Sequence, residues 1–243
     1  MKTLRLILLF AGLLLSVTLL AQVKPESKPK VKAEDKDWAQ FDRYAAQNAA
    51  QQSAPLAVLY GDSITDNWAK LDGQWLTDHK FLGRGISGQT TSQMLVRFRQ
   101  DVIERNPQYV VILAGINDIG RNTGRISTVN TFKNIVSMAE LAKYNNIKPV
   151  LCTVLPADTI NWRPSVADPR PKIDTLNTFL REYSAANDIP FVDYYSALTT
   201  DQGALNEAYA SDPVHPNLEG YKVMEAVLLE LFDRLGVATE PKE

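Results

Sequence analysis

The chain has 243 residues, with 26 Lys+Arg against 28 Asp+Glu and a formal charge of −2. Apolar residues make up 45% and charged residues 22%, the balance of an ordinary globular protein long enough for one sizeable core. Neither sign of charge dominates, so there is no electrostatic case for nucleic acid or an anionic membrane surface as a partner.

Residues 1–21 stand apart. Lys2 and Arg5 precede a mostly apolar run from Leu6 to Ala21. Basic, then apolar, then small is the order of a signal peptide, with Ala21 as the cleavage point. A run of about sixteen residues is short for a spanning helix. The sequence therefore predicts export, to the periplasm or beyond the cell, with no membrane insertion after cleavage. Loss of Lys2 and Arg5 would leave 24 Lys+Arg against 28 Asp+Glu, or −4. Residues 22–36, QVKPESKPKVKAEDK, lack large apolar side chains and read as a solvated linker, leaving residues 37–243 as one domain. The single cysteine, Cys152, permits no internal disulfide and reads as a small core residue.

Residues 37–52 read as a first helix, with Trp38, Phe41 and Tyr44 at helical spacing as core contacts. Residues 56–60 are an apolar run that stops at Gly61-Asp62-Ser63, the pattern of a buried parallel strand entering a sharp turn. A hydroxyl there stands at the carboxyl edge of a sheet, where open α/β sheets place their ligands. It also stands near a helix N-terminus, whose free N–H groups favour developing negative charge. Two readings fit: Ser63 is a nucleophile, or Asp62 or Ser63 caps the next helix.

Residues 80–86 form a second strand, within a glycine-rich segment that continues as GISGQTT. Gly88 in it serves either a turn at positive φ or the close approach of a backbone N–H to a ligand, where a Cβ would obstruct. The segment has neither the lysine of a P-loop nor the GxGxxG spacing, so no nucleotide cofactor is expected. Thr90 or Thr91 caps the helix that follows. Residues 109–114, YVVILA, are a strand covered on both faces, ending in Gly115-Ile116-Asn117-Asp118. Asn117 offers a side-chain N–H donor, and Asp118 fixes the turn or caps locally.

Residues 128–145 read as a helix and 148–155 as a fourth strand. A long Pro-rich loop, 156–172, carries Trp162, Arg163, Asp168 and Arg170 and is the candidate for substrate selection. A helix at 173–187, a fifth strand at 189–193 and a strongly periodic helix at 218–235 complete the chain. Strands alternating with helices predict one α/β domain with a mostly parallel sheet and right-handed crossovers.

There are two histidines. His79 lies in polar TDHK and reads as a surface residue. His215 lies in Asp212-Pro213-Val214-His215-Pro216-Asn217, where two prolines restrain the backbone. Asp212 is near enough to orient the imidazole or stabilise its charged form. A helix entrance with Asn217 as N-cap is the other reading of the same residues. Two distant histidines and one cysteine are a poor ligand set, so no metal is expected.

Taken together, Gly61-Asp62-Ser63, Gly88 in GISGQTT, Gly115-Ile116-Asn117-Asp118 and Asp212-x-x-His215 resemble, in order and context, the SGNH hydrolases, also called GDSL-type esterases. The resemblance spans about residues 54–232. It implies a flavodoxin-like α/β/α sandwich with a five-stranded, mostly parallel sheet. It implies Ser63 as nucleophile, His215 as base and then acid, and Asp212 as third member. It implies an oxyanion hole made by the Ser63 and Gly88 backbone N–H groups and the Asn117 amide. The phrases GISGQTT and DPVHPN look closest to the platelet-activating-factor-acetylhydrolase-like and carbohydrate-esterase branches, which implies a short acyl ester, of a small molecule or polysaccharide, as substrate. A lysophospholipase or thioesterase of longer chains is the alternative enzyme. A non-catalytic sugar-binding protein stacking on Trp68, Trp75 or Trp162 is the alternative of another class.

Overall fold

The computed structural model describes residues 37–239; the predicted signal peptide and linker lie outside them. The strands are β1 Ala57–Gly61, β2 Phe81–Gly85, β3 Tyr109–Leu113, β4 Lys148–Cys152 and β5 Phe191–Val192. They form one sheet in the order β2-β1-β3-β4-β5, and every neighbouring pair is parallel. The helices are α1 Ala45–Ala49, α2 Ser63–Leu71, α3 Gly73–Asp78, α4 Thr91–Asp101, α5 Ile116–Ile119, α6 Thr128–Tyr144, α7 Arg170–Ala186, α8 Tyr194–Leu198 and α9 Leu218–Arg234. The α/β class and the five-stranded parallel sheet are those the sequence leads one to expect.

Right-handed crossovers fix the layers. The step from β1 to β2 runs one way along the sheet and places α2 and α3 on one face. The steps from β2 to β3, β4 and β5 run the other way and place α4, α6 and α7 on the opposite face, packed side by side. With both faces covered, every residue of β1 and β3 is buried. On the first face Trp68 of α2 stacks on Trp75 of α3 at 5.7 Å and on Tyr221 of α9 at 5.5 Å. Its indole N–H donates to buried Glu225 at 3.1 Å, so the ring fills the core without orphaning its polar atom. Emptying that site would cost roughly 3–5 kcal/mol.

Strand order reverses between β1 and β3, and such a reversal opens a crevice at the carboxyl ends of the strands. Beneath this edge lies Arg97, whose side chain is wholly buried. It donates to Gly61 O at 3.0 Å, Arg84 O at 3.1 Å, Gln89 Oε1 at 2.6 Å and Asp101 Oδ2 at 3.0 Å. Its guanidinium also lies over the Tyr60 ring, 4.4 Å from the centroid. One side chain thus ties the ends of β1 and β2 to α4.

The first helix is shorter than the aromatic spacing predicts. A 3-10 turn, Phe41–Tyr44, leads into α1. Gln40 takes a left-handed φ of 55°, which breaks the helical register before Phe41. Trp38 is therefore 53% exposed and Phe41 41% exposed; of the three aromatics Tyr44 alone enters the core, donating to Gly85 O. Strand β4 stops at Cys152, short of Leu155. Past it the Asn177 side chain takes a neighbouring strand's place, accepting from Val154 N–H at 2.7 Å and donating to Val154 O at 3.0 Å. Cys152 is a buried core residue, as read from sequence.

Candidate active site

Strand β1 delivers Ser63 to the crevice. Asp62 is the N-cap of α2, its Oδ1 accepting from Ile64 N–H at 3.0 Å, and Ser63 is the first helical residue. The cap falls to Asp62, which leaves the Ser63 hydroxyl to face His215. Ser63 Oγ lies 2.9 Å from His215 Nε2, and His215 Nδ1 lies 2.8 Å from Asp212 Oδ2. The three groups form one hydrogen-bonded line.

Asp212 also builds the turn that carries His215. Its Oδ1 accepts from Val214 N–H at 2.8 Å and His215 N–H at 2.9 Å. Ser211 N–H donates to His215 O at 2.8 Å, and Asn217 caps α9 by accepting from Gly220 N–H at 2.9 Å. Both readings of this segment thus hold together: it is a helix entrance, and it orients the imidazole. Partial burial pushes the Asp212 carboxyl up, but the Val214 N–H, the His215 ring and main-chain N–H groups and the His215 charge outweigh it, and its pKa lies below the usual carboxylate value.

The Ser63 and Gly88 main-chain N–H groups have no acceptor among the described residues. Gly88 adopts φ +81°, while a Cβ built there would meet nothing nearer than Asn122 Nδ2 at 3.8 Å. The backbone angle, rather than crowding within the chain, is what calls for glycine. Asn117 follows β3, where Gly115 has φ +132° and its missing Cβ leaves room for Leu176. The Asn117 amide nitrogen bridges two turns, donating to Asp62 Oδ2 at 3.1 Å and Gln89 O at 3.0 Å. Both of its N–H bonds therefore have acceptors within the chain.

Two buried acids brace these turns. Burial pushes the Asp62 carboxyl up to about 6, against the Ile64 N–H, the His215 charge and the Asn117 hydrogen bond. Asp118 reaches further than a local cap: it accepts from Thr91 N–H at 2.9 Å and Thr91 Oγ1 at 2.6 Å, anchoring the start of α4. Burial pushes its carboxyl up to about 6 as well. Thr90 is the N-cap of α4, in a capping box with Gln93.

Ser63, Gly88, Asn117 and His215 meet in one cavity of about 370 Å³, with Asn67, Ser87, Asn122 and Trp162 completing its wall. Asp212 stands behind His215 and lines a separate cavity of about 700 Å³ with Asp158, Asn206 and Glu207. The smaller cavity is the one that brings Ser63 and His215 together. Trp162 reaches it from the long loop, its ring centroid 5.9 Å from that of His215. Arg163 turns away to donate to Gly120 O at 3.0 Å, and Arg170 pairs with Asp168 at 2.9 Å and donates to Gln202 O at 2.9 Å. Neither arginine lines this cavity, so of the loop's candidates for substrate contact only Trp162 remains. Trp68 and Trp75 pack in or against the core, which removes them as sugar platforms. His79 is half-buried, its Nδ1 2.7 Å from Trp75 O, and lies outside the cavity. Asn122 escapes sequence reasoning because an asparagine in GRNT carries no signal apart from the fold that brings it to Gly88.

Residues 59–223 match the GDSL-like lipase/acylhydrolase family. The chain is 47% identical to a protein of Bacteroides fragilis NCTC 9343 whose structure is solved, with a TM-score of 0.80 over 82% of this chain and 99% of that one. It is 44% identical to a GDSL-like lipase from Bacteroides thetaiotaomicron VPI-5482, with a TM-score of 0.78 over 81% of this chain and 98% of that one. It is also 23% identical to an acetylxylan esterase of Geobacillus stearothermophilus, over 62% of this chain and 70% of that protein.

Proposed function

Because the chain belongs to the GDSL-like lipase/acylhydrolase family and is thus a carboxylic ester hydrolase, we propose that it is an exported serine esterase of short acyl esters, acetyl above all, carried on carbohydrate. The observation that carries the mechanism is the line from Ser63 Oγ to His215 Nε2, 2.9 Å, and from His215 Nδ1 to Asp212 Oδ2, 2.8 Å. With its proton on Nδ1, the neutral imidazole donates to Asp212 and leaves Nε2 to take the Ser63 proton. Ser63 Oγ then attacks the ester carbonyl carbon, and negative charge grows on the carbonyl oxygen.

The Ser63 and Gly88 N–H groups, free of acceptors among the described residues, receive that charge. Asn117 joins them by sharing an N–H bond now held by Asp62 or Gln89. The protonated imidazole returns its proton to the leaving alcohol, leaving Ser63 acylated. A water deprotonated by the same Nε2 attacks the acyl carbon, and Ser63 leaves with the proton.

Two observations support a short acyl group on a hydrophilic alcohol. The cavity is small and carries the polar side chains Asn67, Ser87 and Asn122, with the Trp162 ring as its one large apolar surface. The resemblance to an acetylxylan esterase points to the same class. A long acyl chain would need an apolar groove, and no aliphatic side chain among the described residues lines this cavity. Export rests on the basic-then-apolar order of residues 1–21. The discriminating experiment compares p-nitrophenyl acetate with the octanoate and measures acetate release from acetylated xylan. Higher kcat/KM on the acetate, with acetate release from the polymer, is expected. Preference for the octanoate would favour a lipase-like activity instead.

A further inference from the structure

Asn122 joins the two groups that line the anion side of the cavity. Its Nδ2 donates to Gly88 O at 3.0 Å and to Asn117 Oδ1 at 2.8 Å, and its Oδ1 accepts from Trp162 Nε1 at 2.8 Å. Its main-chain N–H donates to Asn117 O at 3.0 Å. These partners fix the amide in one sense. Flipped, it would set an oxygen against two oxygens and a nitrogen against the indole N–H.

The orientation passes on to both neighbours. A donor on Asn117 Oδ1 leaves the Asn117 nitrogen facing the Asp62 and Gln89 turns, on either side of Ser63 and Gly88. A donor on Gly88 O restrains a residue that sits at φ +81° and whose own N–H has no acceptor among the described residues. Trp162 comes from the loop after β4 and Gly88 from the loop after β2, so two distant segments converge on one amide.

We propose that Asn122 is a positioning residue of the esterase: it sets the geometry of the Gly88 and Asn117 donors that receive the ester's carbonyl oxygen, and the Trp162 N–H holds it in that orientation. The proposal rests on Ser63 being the nucleophile. It makes Trp162 two things at once, a wall of the cavity through its ring and a brace through its N–H.

The test compares Asn122→Ala, Trp162→Phe and the double variant on p-nitrophenyl acetate, with Ser63→Ala as control and the melting temperature of each. Asn122→Ala is expected to lower kcat about 10- to 100-fold with KM within about twofold, the scale of a small misplacement of catalytic donors. Trp162→Phe keeps the ring and loses the N–H, and should lower kcat about fivefold, the scale of one ordinary hydrogen bond. The double variant should be no slower than Asn122→Ala, because the indole acts through Asn122. Wild-type kcat in Asn122→Ala, or losses that multiply in the double variant, would overturn the proposal while an inactive Ser63→Ala leaves the esterase mechanism standing. An active Ser63→Ala would overturn the mechanism itself. Should Asn122→Ala fail to fold, wild-type kcat in Trp162→Phe overturns the proposal alone.

Discussion

Ser63 Oγ and His215 Nε2 lie 2.9 Å apart although 152 positions separate them in the chain. Two unrelated turns make that meeting: Asp62 caps the helix that Ser63 begins, and Asp212 folds the turn that carries His215. Ser63→Ala and His215→Ala should each lower kcat by about 10⁴-fold or more, and the double variant should be no worse than either, because the two groups act as a unit. Steady-state kinetics on p-nitrophenyl acetate measure this. Losses that multiply would mean that the two residues act in separate steps.

Asn117 is expected to act on kcat rather than on substrate binding. Removing one oxyanion donor costs about 10²- to 10³-fold in kcat. Asn117→Ala also unties the Asp62 and Gln89 turns, so the loss should reach the upper end of that range, with KM little changed. A variant with raised KM and intact kcat would place Asn117 among residues that bind ground-state substrate instead.

The buried acids set a pH dependence of stability. Burial holds the Asp62 carboxyl at about 6, against about 3.9 in an unfolded chain. Between those values the folded protein keeps a proton that the unfolded chain has released. The stability this contributes is complete below about pH 4 and is lost as pH rises through 6. Asp118, also pushed to about 6, acts in the same direction. Asp212, held below its usual value, acts in the opposite sense and on the acid side of pH 4. Asp62→Asn should therefore flatten the fall in melting temperature between about pH 4.5 and 7. An unchanged slope would show that Asp62 does not titrate in that window.

Arg97 should matter to stability more than any surface ion pair. Arg97→Met leaves Asp101 buried without its cation and takes from Gly61 O one of its two donors, the other being Ile86 N–H at 3.2 Å. A loss of about 3–5 kcal/mol in the free energy of unfolding is expected, read by urea titration. Arg97→Met with Asp101→Leu should recover part of it, since a buried pair replaced by apolar groups is often neutral. A loss under 1 kcal/mol in the single variant would contradict the bridging role.

The class of fold was legible because β1 and β3 are apolar without interruption, and only a sheet covered on both faces needs that. The four site clusters were legible because strand ends and special turns leave Gly, Asp, Asn and Pro in short, recognisable order. What stayed hidden depends on geometry that no periodicity encodes. Gln40 at a left-handed φ separates Trp38 and Phe41 from Tyr44, so an apparent helical stripe dissolves. Arg97 looks like an ordinary polar position of a helix, yet it faces inward beneath the carboxyl edge of the sheet. Arg163 and Arg170 look like substrate contacts until their main-chain partners are seen. Asn122, which shares a turn with Asn117, gains its meaning only when Gly88 and Trp162 are brought to it by two other segments.

The central claim is that Ser63 carries the acyl group, and covalent labelling tests it most directly. Treating the protein with a short alkyl fluorophosphonate and mapping the modified peptide should place one adduct on Ser63. His215→Ala should slow its formation by about 10³-fold or more, because Nε2 no longer takes the hydroxyl proton. An unlabelled Ser63, or an adduct on another residue with Ser63 left free, would contradict the account.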